Sequence, residues 1–181
     1  MINYVADRRE LPTLPPPEGT TIGPWTRADL PRLMELGEGL FSDDDPDALG
    51  TFFWRNPYFD PGSLFALKRA DGAALALALA ITNATFADPT KVDAAMPCFR
   101  LGALGTETER HKRIRGLVSF LFASPAAGDV LLSEASRRLE AAGLESAAAQ
   151  APSDRPELVA FYDRHFRRQG AFPILDKRLE G

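Results

Sequence analysis

The sequence predicts an α/β fold, and three features of the chain lead to that prediction. Leucine and isoleucine alternate with alanine directly after Asp71-Gly72, which is typical of the second strand of a β-hairpin. Apolar residues recur at helical spacing around Leu30 and again from Leu131 to Leu139. The second half then runs strand, small-residue loop, helix, strand, helix and strand, an order typical of a sheet with crossover helices.

Length and composition limit the class of protein. A chain of 181 residues with 45% hydrophobic and 25% charged residues fits one domain that folds without a metal or disulfide. The lone Cys98 excludes an internal disulfide framework, and two histidines argue against a multi-histidine metal site. A net charge of −4 and a pI of about 5.3 argue against a general nucleic-acid binder. We find no apolar run of membrane-span length and no signal peptide, so we expect a cytoplasmic protein.

The N-terminal segment differs in composition from the rest of the chain. Residues 1–19 are polar and rich in proline, which predicts an extended arm and not a folded unit. Such an arm is either disordered or packed against the domain. The remaining residues, 20–181, are predicted to form a single domain.

The first half of the domain is predicted to hold one strand and two helices. Residues 20–25 are β-prone, and Thr26 is placed to cap a helix that ends near residues 37–40. A second helix is predicted over residues 46–56. The three carboxylates at residues 43–45 lack the ligand spacing of a calcium loop. We therefore interpret them as a solvated turn that caps the second helix, with a cation site as the alternative.

The remaining elements follow from alternation and turn signals. Residues 63–82 are predicted to form a β-hairpin with one bulky and one small face. The later elements are strands at 116–124 and 144–150, helices at 129–142 and 156–166, a further strand at 99–104, and a final strand or tail at 172–179.

The loop of small residues at positions 124–128 is a candidate anion site. A helix N-terminus carries unpaired N–H groups and positive dipole potential, and small side chains let an anion approach the backbone. This pattern alone is weak, because many loops of this kind only connect a strand to a helix.

The C-terminal third resembles the GNAT superfamily of acyl-CoA-dependent N-acyltransferases, with a degenerate phosphate-loop motif. In that family the helix opens with Arg/Gln-x-x-Gly-x-Gly/Ala, continues into a Leu-Leu pair and ends at a glycine. The runs Ala126-Ala127-Gly128-Asp129-Val130-Leu131-Leu132 and Arg138-Leu139-Glu140-Ala141-Ala142-Gly143 are similar to that pattern. Placing Gly128 on the last motif glycine puts Ala126 on the first glycine and Ala123 on the Arg/Gln position.

The resemblance covers about residues 20–180 and implies a GNAT-like α/β fold: a mixed, mostly antiparallel sheet with helices on both faces. It implies acetyl-CoA as co-substrate, with no metal. The residues implied to bind it are Phe122, Ala123, Ser124, Ala126, Ala127, Gly128, Asp129 and Val130.

Residues 161–166 resemble the family's Tyr-x-x-x-Gly-Phe helix end, shortened by one residue. The match implies that Tyr162 is the catalytic acid that protonates the departing thiolate of coenzyme A. The residues alone allow a second interpretation, a core tyrosine on an amphipathic helix, because Phe161 and Phe166 are close in sequence.

The departures from the motif leave a rival register open. Neither Ala123 nor Ala126 matches the residue that the family has there, and the missing basic side chain weakens the expected hold on pyrophosphate. The segment Arg113-Ile114-Arg115-Gly116-Leu117-Val118 also fits Arg-x-x-Gly-x-small. We favour the register at Gly128, because the rival needs a helix that runs through Ser124-Pro125 and Gly128.

The resemblance implies transfer of an acetyl group to an amine that attacks the thioester directly. The acceptor is expected to be a small-molecule or peptide amine, and the protein a monomer or homodimer. The alternative is a non-catalytic binding or regulatory module with the same fold.

We interpret the basic segment 110–115 as a solvated loop, with a phosphate clamp or nucleic-acid contact as alternatives. Candidate bases are Glu107, Glu109 and, less favoured, His165.

Overall fold

A computed structural model describes residues 2–38, 45–55, 62–82 and 115–171 of the chain. Seven strands in these ranges form one sheet. The strands are β1 (Ile2–Asp7), β2 (Thr20–Pro24), β3 (Leu64–Arg69), β4 (Ala74–Ile81), β5 (Arg115–Phe122), β6 (Ser146–Ala151) and β7 (Arg167–Ala171). The helices are α1 (Leu30–Leu36), α2 (Pro46–Trp54), α3 (Pro125–Ala141) and α4 (Pro156–His165).

The strand order across the sheet is β2-β3-β4-β5-β6-β1-β7. Each neighbouring pair in this order is antiparallel except β5 and β6, which are parallel. The connection between these two strands passes through α3, as a parallel pair requires. The described sheet is therefore mixed and mostly antiparallel, as predicted.

Helices cover both faces of the sheet, and β4 shows why. Its alanines Ala76, Ala78 and Ala80 lie in the apolar core formed with α3 and α4, whereas Leu77 and Leu79 lie in the core formed with α1 and α2. The predicted division into a small and a bulky face is confirmed for β4, but it is wrong for β3, whose Phe65 and Leu67 lie on the alanine face. The short side chains let α3 pack close to the sheet, while the leucines fill the space under the shorter helices.

The hairpin and the strand before the candidate loop are where the sequence predicts them. Strands β3 and β4 pair around Gly72, whose φ of +85° is the left-handed conformation that the predicted turn needs. Strand β5 corresponds to the predicted strand at 116–124. The predicted strand at 99–104 and the final segment at 172–179 lie outside the described residues.

Two helix starts differ from the prediction. Helix α3 begins at Pro125 and not at 129, because the Ser124 side chain caps it and proline suits the first helical position. The small residues interpreted as a loop therefore form the first turn of the helix. The chain after Thr26 first forms a short 3-10 turn at Arg27–Asp29, and α1 follows it.

The N-terminal segment is not held outside the domain. Residues 2–7 form β1, which pairs with β6 on one side and β7 on the other. Its Tyr4 and Ala6 are buried in the core, and Leu11 beyond it is buried as well. The expectation of an arm at 1–19 is wrong for this strand. The prolines and charges that follow dominate the composition of the segment and conceal the β-prone run at its start.

Of the three carboxylates before α2, the structure describes one, Asp45. Asp45 caps α2, because its side chain accepts a hydrogen bond of 3.0 Å from the Asp47 amide. This agrees with the predicted capping role. The described ranges contain no cluster of three or more His, Cys, Asp or Glu residues that could hold a metal ion. Within the same ranges, no helix combines the length and apolar character needed to cross a bilayer.

The position of β1 inside the sheet predicts a large effect of proline there. Val5 faces Ala148 on β6 and Arg167 on β7. We expect Val5→Pro to lower the free energy of unfolding by about 2–4 kcal/mol, because it removes a ladder N–H and leaves a partner carbonyl unpaired. Urea unfolding measures the change. The control is Thr13→Pro in the exposed irregular segment, and equal costs for the two variants would contradict the assignment of β1.

Candidate active site

The candidate site begins where β5 and β6 separate. The two strands pair at Arg115↔Ser146, Gly116↔Ala147 and Leu117↔Ala148, and no pair is formed beyond these. Strand β5 continues to Phe122 alongside β4, while β6 continues alongside β1. Among the described residues, the far half of β5 therefore has one edge without a strand partner. We call this gap between the two strands the β5–β6 opening.

The backbone of β5 presents polar groups to the β5–β6 opening. The Ala123 amide donates to the Leu75 carbonyl on the β4 side at 2.9 Å. Successive residues of a strand direct their N–H groups to opposite sides, so the Phe120 and Phe122 amides face away from β4. These are the donors that the strand can offer to a ligand.

The course of β5 also decides between the two registers. Residues 115–118 lie inside a strand, so no helix begins at Gly116. The rival motif at 113–118 is therefore wrong in its structural context, while α3 begins directly after β5 as the register at Gly128 requires.

Tyr162 projects from α4 toward the same opening. Its side chain is 1% exposed, and its hydroxyl has no hydrogen-bond partner among the described residues. Burial raises the pKa of the phenol, and the Phe120 backbone and the Ser119 hydroxyl, which face it, lower that pKa by less. Both of these groups lie on β5 beyond its last pair with β6.

Four aromatic rings surround Tyr162. Tyr4 stacks on it with a centroid distance of 5.2 Å and an interplanar angle of 24°. The rings of Phe120, Phe161 and Phe166 lie at 6.3, 5.5 and 5.3 Å. The packing is that of a core residue, as the second interpretation of the sequence expects. The hydroxyl is the exception, since a buried hydroxyl without a partner costs about 1–3 kcal/mol.

The predicted phosphate-binding residues differ in exposure, and Phe122 and Asp129 are half-buried. Ala123, Ser124 and Ala126 are exposed, whereas Ala127, Gly128 and Val130 are buried. The Ser124 hydroxyl accepts from the Ala127 amide at 3.4 Å, a long bond. The exposed residues form an accessible helix N-terminus, and Val130 belongs to the apolar core.

Gly128 has a packing reason to lack a side chain. A Cβ at this position would lie 2.8 Å from Phe122 Cδ1 and 2.9 Å from Phe161 Cε2. These two rings are themselves in contact, with centroids 4.8 Å apart. The predicted role of Gly128, close approach of an anion to the backbone, stays a prediction. The structure supplies a separate constraint, because a side chain here would push α3 off the aromatic pair.

The charges beside the first turn of α3 come from the end of α4. Asp129 Oδ1 lies 2.8 Å from an Arg164 guanidinium nitrogen and 2.7 Å from His165 Nε2. The Arg164 guanidinium also lies over the Phe161 ring, 5.7 Å from its centroid. The sequence does not predict Arg164 as a site residue. A separation of 35 residues hides the pairing, and only the docking of α4 against α3 reveals it.

Several predicted residues are not placed by the structure. Glu107, Glu109 and the basic positions before 115 lie outside the described residues. Ser119 was not singled out from the sequence; its exposed side chain and its position on β5 beside the opening make it a site candidate.

Solved structures resemble this chain in fold. A structure described as a phosphinothricin N-acetyltransferase matches with a TM-score of 0.52 at 14% identity, over 81% of this chain and 80% of that one. A GCN5-related N-acetyltransferase from Sphaerobacter thermophilus matches with a TM-score of 0.53 at 15% identity, over 92% of this chain and 48% of that one. A GCN5-related glucosamine N-acetyltransferase region of a fungal multi-domain β-N-acetylglucosaminidase gives 0.51 at 13% identity, over 92% and 20%.

These matches show that the chain has the fold of the GCN5-related N-acetyltransferases, and the predicted fold class is confirmed. No protein-family model matches the sequence, and no curated protein matches it either.

The packing at Gly128 predicts opposite effects of alanine in two helices. We expect Gly128→Ala to destabilise the protein by about 1–3 kcal/mol, since the new Cβ overlaps Phe122 and Phe161. Gly50→Ala in α2 is the control, because its Cβ would meet Leu30 at an ordinary 3.5 Å. That variant should gain about 0.5–1 kcal/mol from helix propensity. Chemical unfolding compares the two, and a stabilising Gly128→Ala would contradict the described contact.

Proposed function

We propose that the protein is an acyl-CoA-dependent N-acyltransferase that transfers acetyl from acetyl-CoA to the amine of a small molecule or peptide, and we expect it in the cytoplasm. One observation carries the proposal. The Tyr162 hydroxyl is buried and without a partner among the described residues, beside the part of β5 that has lost its pairing with β6. A buried hydroxyl that has no partner can donate its proton to a group that enters the β5–β6 opening.

The residues near α3 are suited to hold the phosphates of acetyl-CoA. The exposed N-terminal turn of α3 offers the Ala126 amide and the positive end of the helix dipole. The Ala127 amide donates to the Ser124 carbonyl at 3.1 Å and over a longer 3.4 Å to the Ser124 hydroxyl, and that hydroxyl can be exchanged for a phosphate oxygen. Arg164 supplies, from α4, the cationic side chain that the motif lacks at Ala123.

The residues of β5 are suited to the reacting end. When bound, acetyl-CoA supplies a thioester carbonyl that an amine can attack. The Phe120 and Phe122 amides face the β5–β6 opening and can polarise a carbonyl oxygen there. Ser119 is exposed at the same level and marks the side from which we expect the amine to approach.

Tyr162 is suited to protonate the departing sulfur. Its raised pKa keeps the phenol protonated at neutral pH. The same desolvation raises the pKa of a thiolate formed beside it, so a proton can pass from Oη to sulfur as the carbon–sulfur bond breaks. The amine must be neutral to attack, and its proton leaves to a base or to water.

The second candidate function is a non-catalytic binding module of the same fold. The carboxylate of Asp129 favours it, because this group follows directly after the first turn of α3, close to where phosphate would bind. Pro125 also removes one N–H from that turn. The two candidates differ in whether acetyl-CoA binds and reacts.

Ligand-dependent stability is the first test. At about 100 times its Kd, acetyl-CoA should add about 2.7 kcal/mol of stability and raise the melting temperature by about 2–4 °C, while ATP serves as a phosphate control.

We expect Arg164→Ala to weaken the binding of acetyl-CoA about tenfold or more, through loss of a charged hydrogen bond. Arg27→Ala, on the opposite helical layer, is the control and should leave affinity unchanged. Equal shifts for the two variants would exclude Arg164 from the site, and no shift for the unmodified protein would favour the binding module.

Turnover tests whether Tyr162 acts as the catalytic acid. We expect Tyr162→Phe to lower kcat by about 10²-fold or more while the affinity for acetyl-CoA stays nearly unchanged, because the ring remains and only the proton donor is lost. Thiol release from acetyl-CoA, measured with a panel of primary amines, gives kcat. A Tyr162→Phe variant with full turnover would remove Tyr162 from the mechanism.

A further inference from the structure

The N-terminal strand brings a second tyrosine against Tyr162. Tyr4 lies in the middle of β1, and its ring stacks on the Tyr162 ring at 5.2 Å. Both side chains are 1% exposed. The two residues are separated by most of the chain, and β1 can bring them together because it occupies the position between β6 and β7.

Tyr4 is itself held in place by a polar network. Its hydroxyl donates to Asp163 Oδ1 at 3.2 Å, and Arg168 Nε donates to the same oxygen at 2.6 Å. A second Arg168 nitrogen binds the other carboxylate oxygen. Arg168 faces Tyr4 directly across the β1–β7 pairing, and Asp163 follows Tyr162 on α4. The network therefore ties together the two strands and the helix that carries Tyr162.

The Tyr162 hydroxyl has no comparable anchor. The Phe120 backbone and the Ser119 hydroxyl face it without forming a hydrogen bond of normal geometry, so the direction of the phenol depends mainly on the rings packed around it. The Tyr4 ring covers one face of that phenol in a near-parallel stack, whereas the other neighbouring rings are edge-on or tilted. Loss of the Tyr4 ring would leave a cavity on that face and free the phenol to tilt or to become hydrated.

We infer that Tyr4 is a positioning residue: its ring, anchored through Asp163 and Arg168, fixes the direction of the Tyr162 hydroxyl at the β5–β6 opening. This inference rests on the proposed function, in which that hydroxyl protonates the leaving sulfur. A displacement of about 1 Å at a reacting group costs about 10²-fold in rate, so a stack that sets this direction has a measurable effect on turnover. The Tyr4 ring sets the direction of the Tyr162 hydroxyl, while the Tyr4 hydroxyl only anchors the Tyr4 ring.

A double-mutant cycle on turnover tests the inference. The variants are Tyr4→Phe, which keeps the ring, Tyr4→Leu, which removes it, Tyr162→Phe, and the double variant Tyr4→Leu/Tyr162→Phe. We expect Tyr4→Leu to lower kcat about tenfold with KM for acetyl-CoA within about threefold, and Tyr4→Phe to keep kcat within about threefold. In the Tyr162→Phe background, Tyr4→Leu should have little further effect.

A matched variant controls for loss of stability. Val5→Ala removes buried apolar atoms from the same strand, and Val5 points to the opposite face of β1 from Tyr4. All variants are assayed below their melting temperatures. If Val5→Ala lowers kcat as much as Tyr4→Leu, or if Tyr4→Leu has an equal effect with and without Tyr162, the role of Tyr4 is structural and the inference is overturned. If Tyr4→Leu leaves kcat unchanged while Tyr162→Phe lowers it, the inference fails and the proposed function stands.

Ionisation of Tyr162 gives a readout that needs no acceptor amine. The chain has three tyrosines, so the difference in tyrosinate absorbance between a variant and the same variant carrying Tyr162→Phe isolates Tyr162. We expect the Tyr162 midpoint of Tyr4→Leu to fall by about one pH unit or more, and that of Tyr4→Phe to stay, with circular dichroism confirming that the chain is folded. Equal midpoints would overturn the inference. If no amine gives thiol release and acetyl-CoA gives no thermal shift, the proposed function fails by itself, and the positioning role falls with it even where the midpoints confirm the stack.

Discussion

The parallel pairing of β5 with β6 determines where the candidate site lies in this fold. Parallel neighbours need a crossover, so α3 must begin where β5 ends and return across the sheet. The strands stay paired for three residues and then separate, each keeping its other partner. The helix N-terminus and the unpaired edge of β5 therefore lie at the same end of the sheet. A ligand that spans both can use helix dipole and strand amides together.

Small residues make this arrangement possible. The alanine faces of β4 and β6 keep α3 and α4 close to the sheet, and Gly128 lets the first turn of α3 rest on Phe122 and Phe161. The same aromatic cluster continues to Tyr162 and encloses it. The packing that excludes water from the phenol is thus also the packing that fixes the helix N-terminus beside it, so changes at one part of the site act on the other.

The charges near the first turn of α3 have opposing effects on an anionic ligand. Asp129, just after the first turn of α3, binds Arg164 and His165. The same carboxylate repels an anionic ligand, whereas the Arg164 that it holds attracts one. Under the proposed function, phosphate binding at this turn requires Arg164 to exchange one anionic partner for another. The balance of these terms separates an active acyltransferase from a binding module.

Local signals in the sequence determined the hairpin around Gly72, the small and bulky faces of β4, and the strand that precedes α3, because alternation and turn chemistry act over a few residues. The register of the candidate loop was favoured for a similarly local reason, the incompatibility of Pro125 with an interior helix. The tertiary structure alone decided that residues 2–7 enter the sheet, that Arg164 reaches Asp129 and that Tyr4 covers Tyr162. Those contacts join distant segments, and no spacing within one element encodes them.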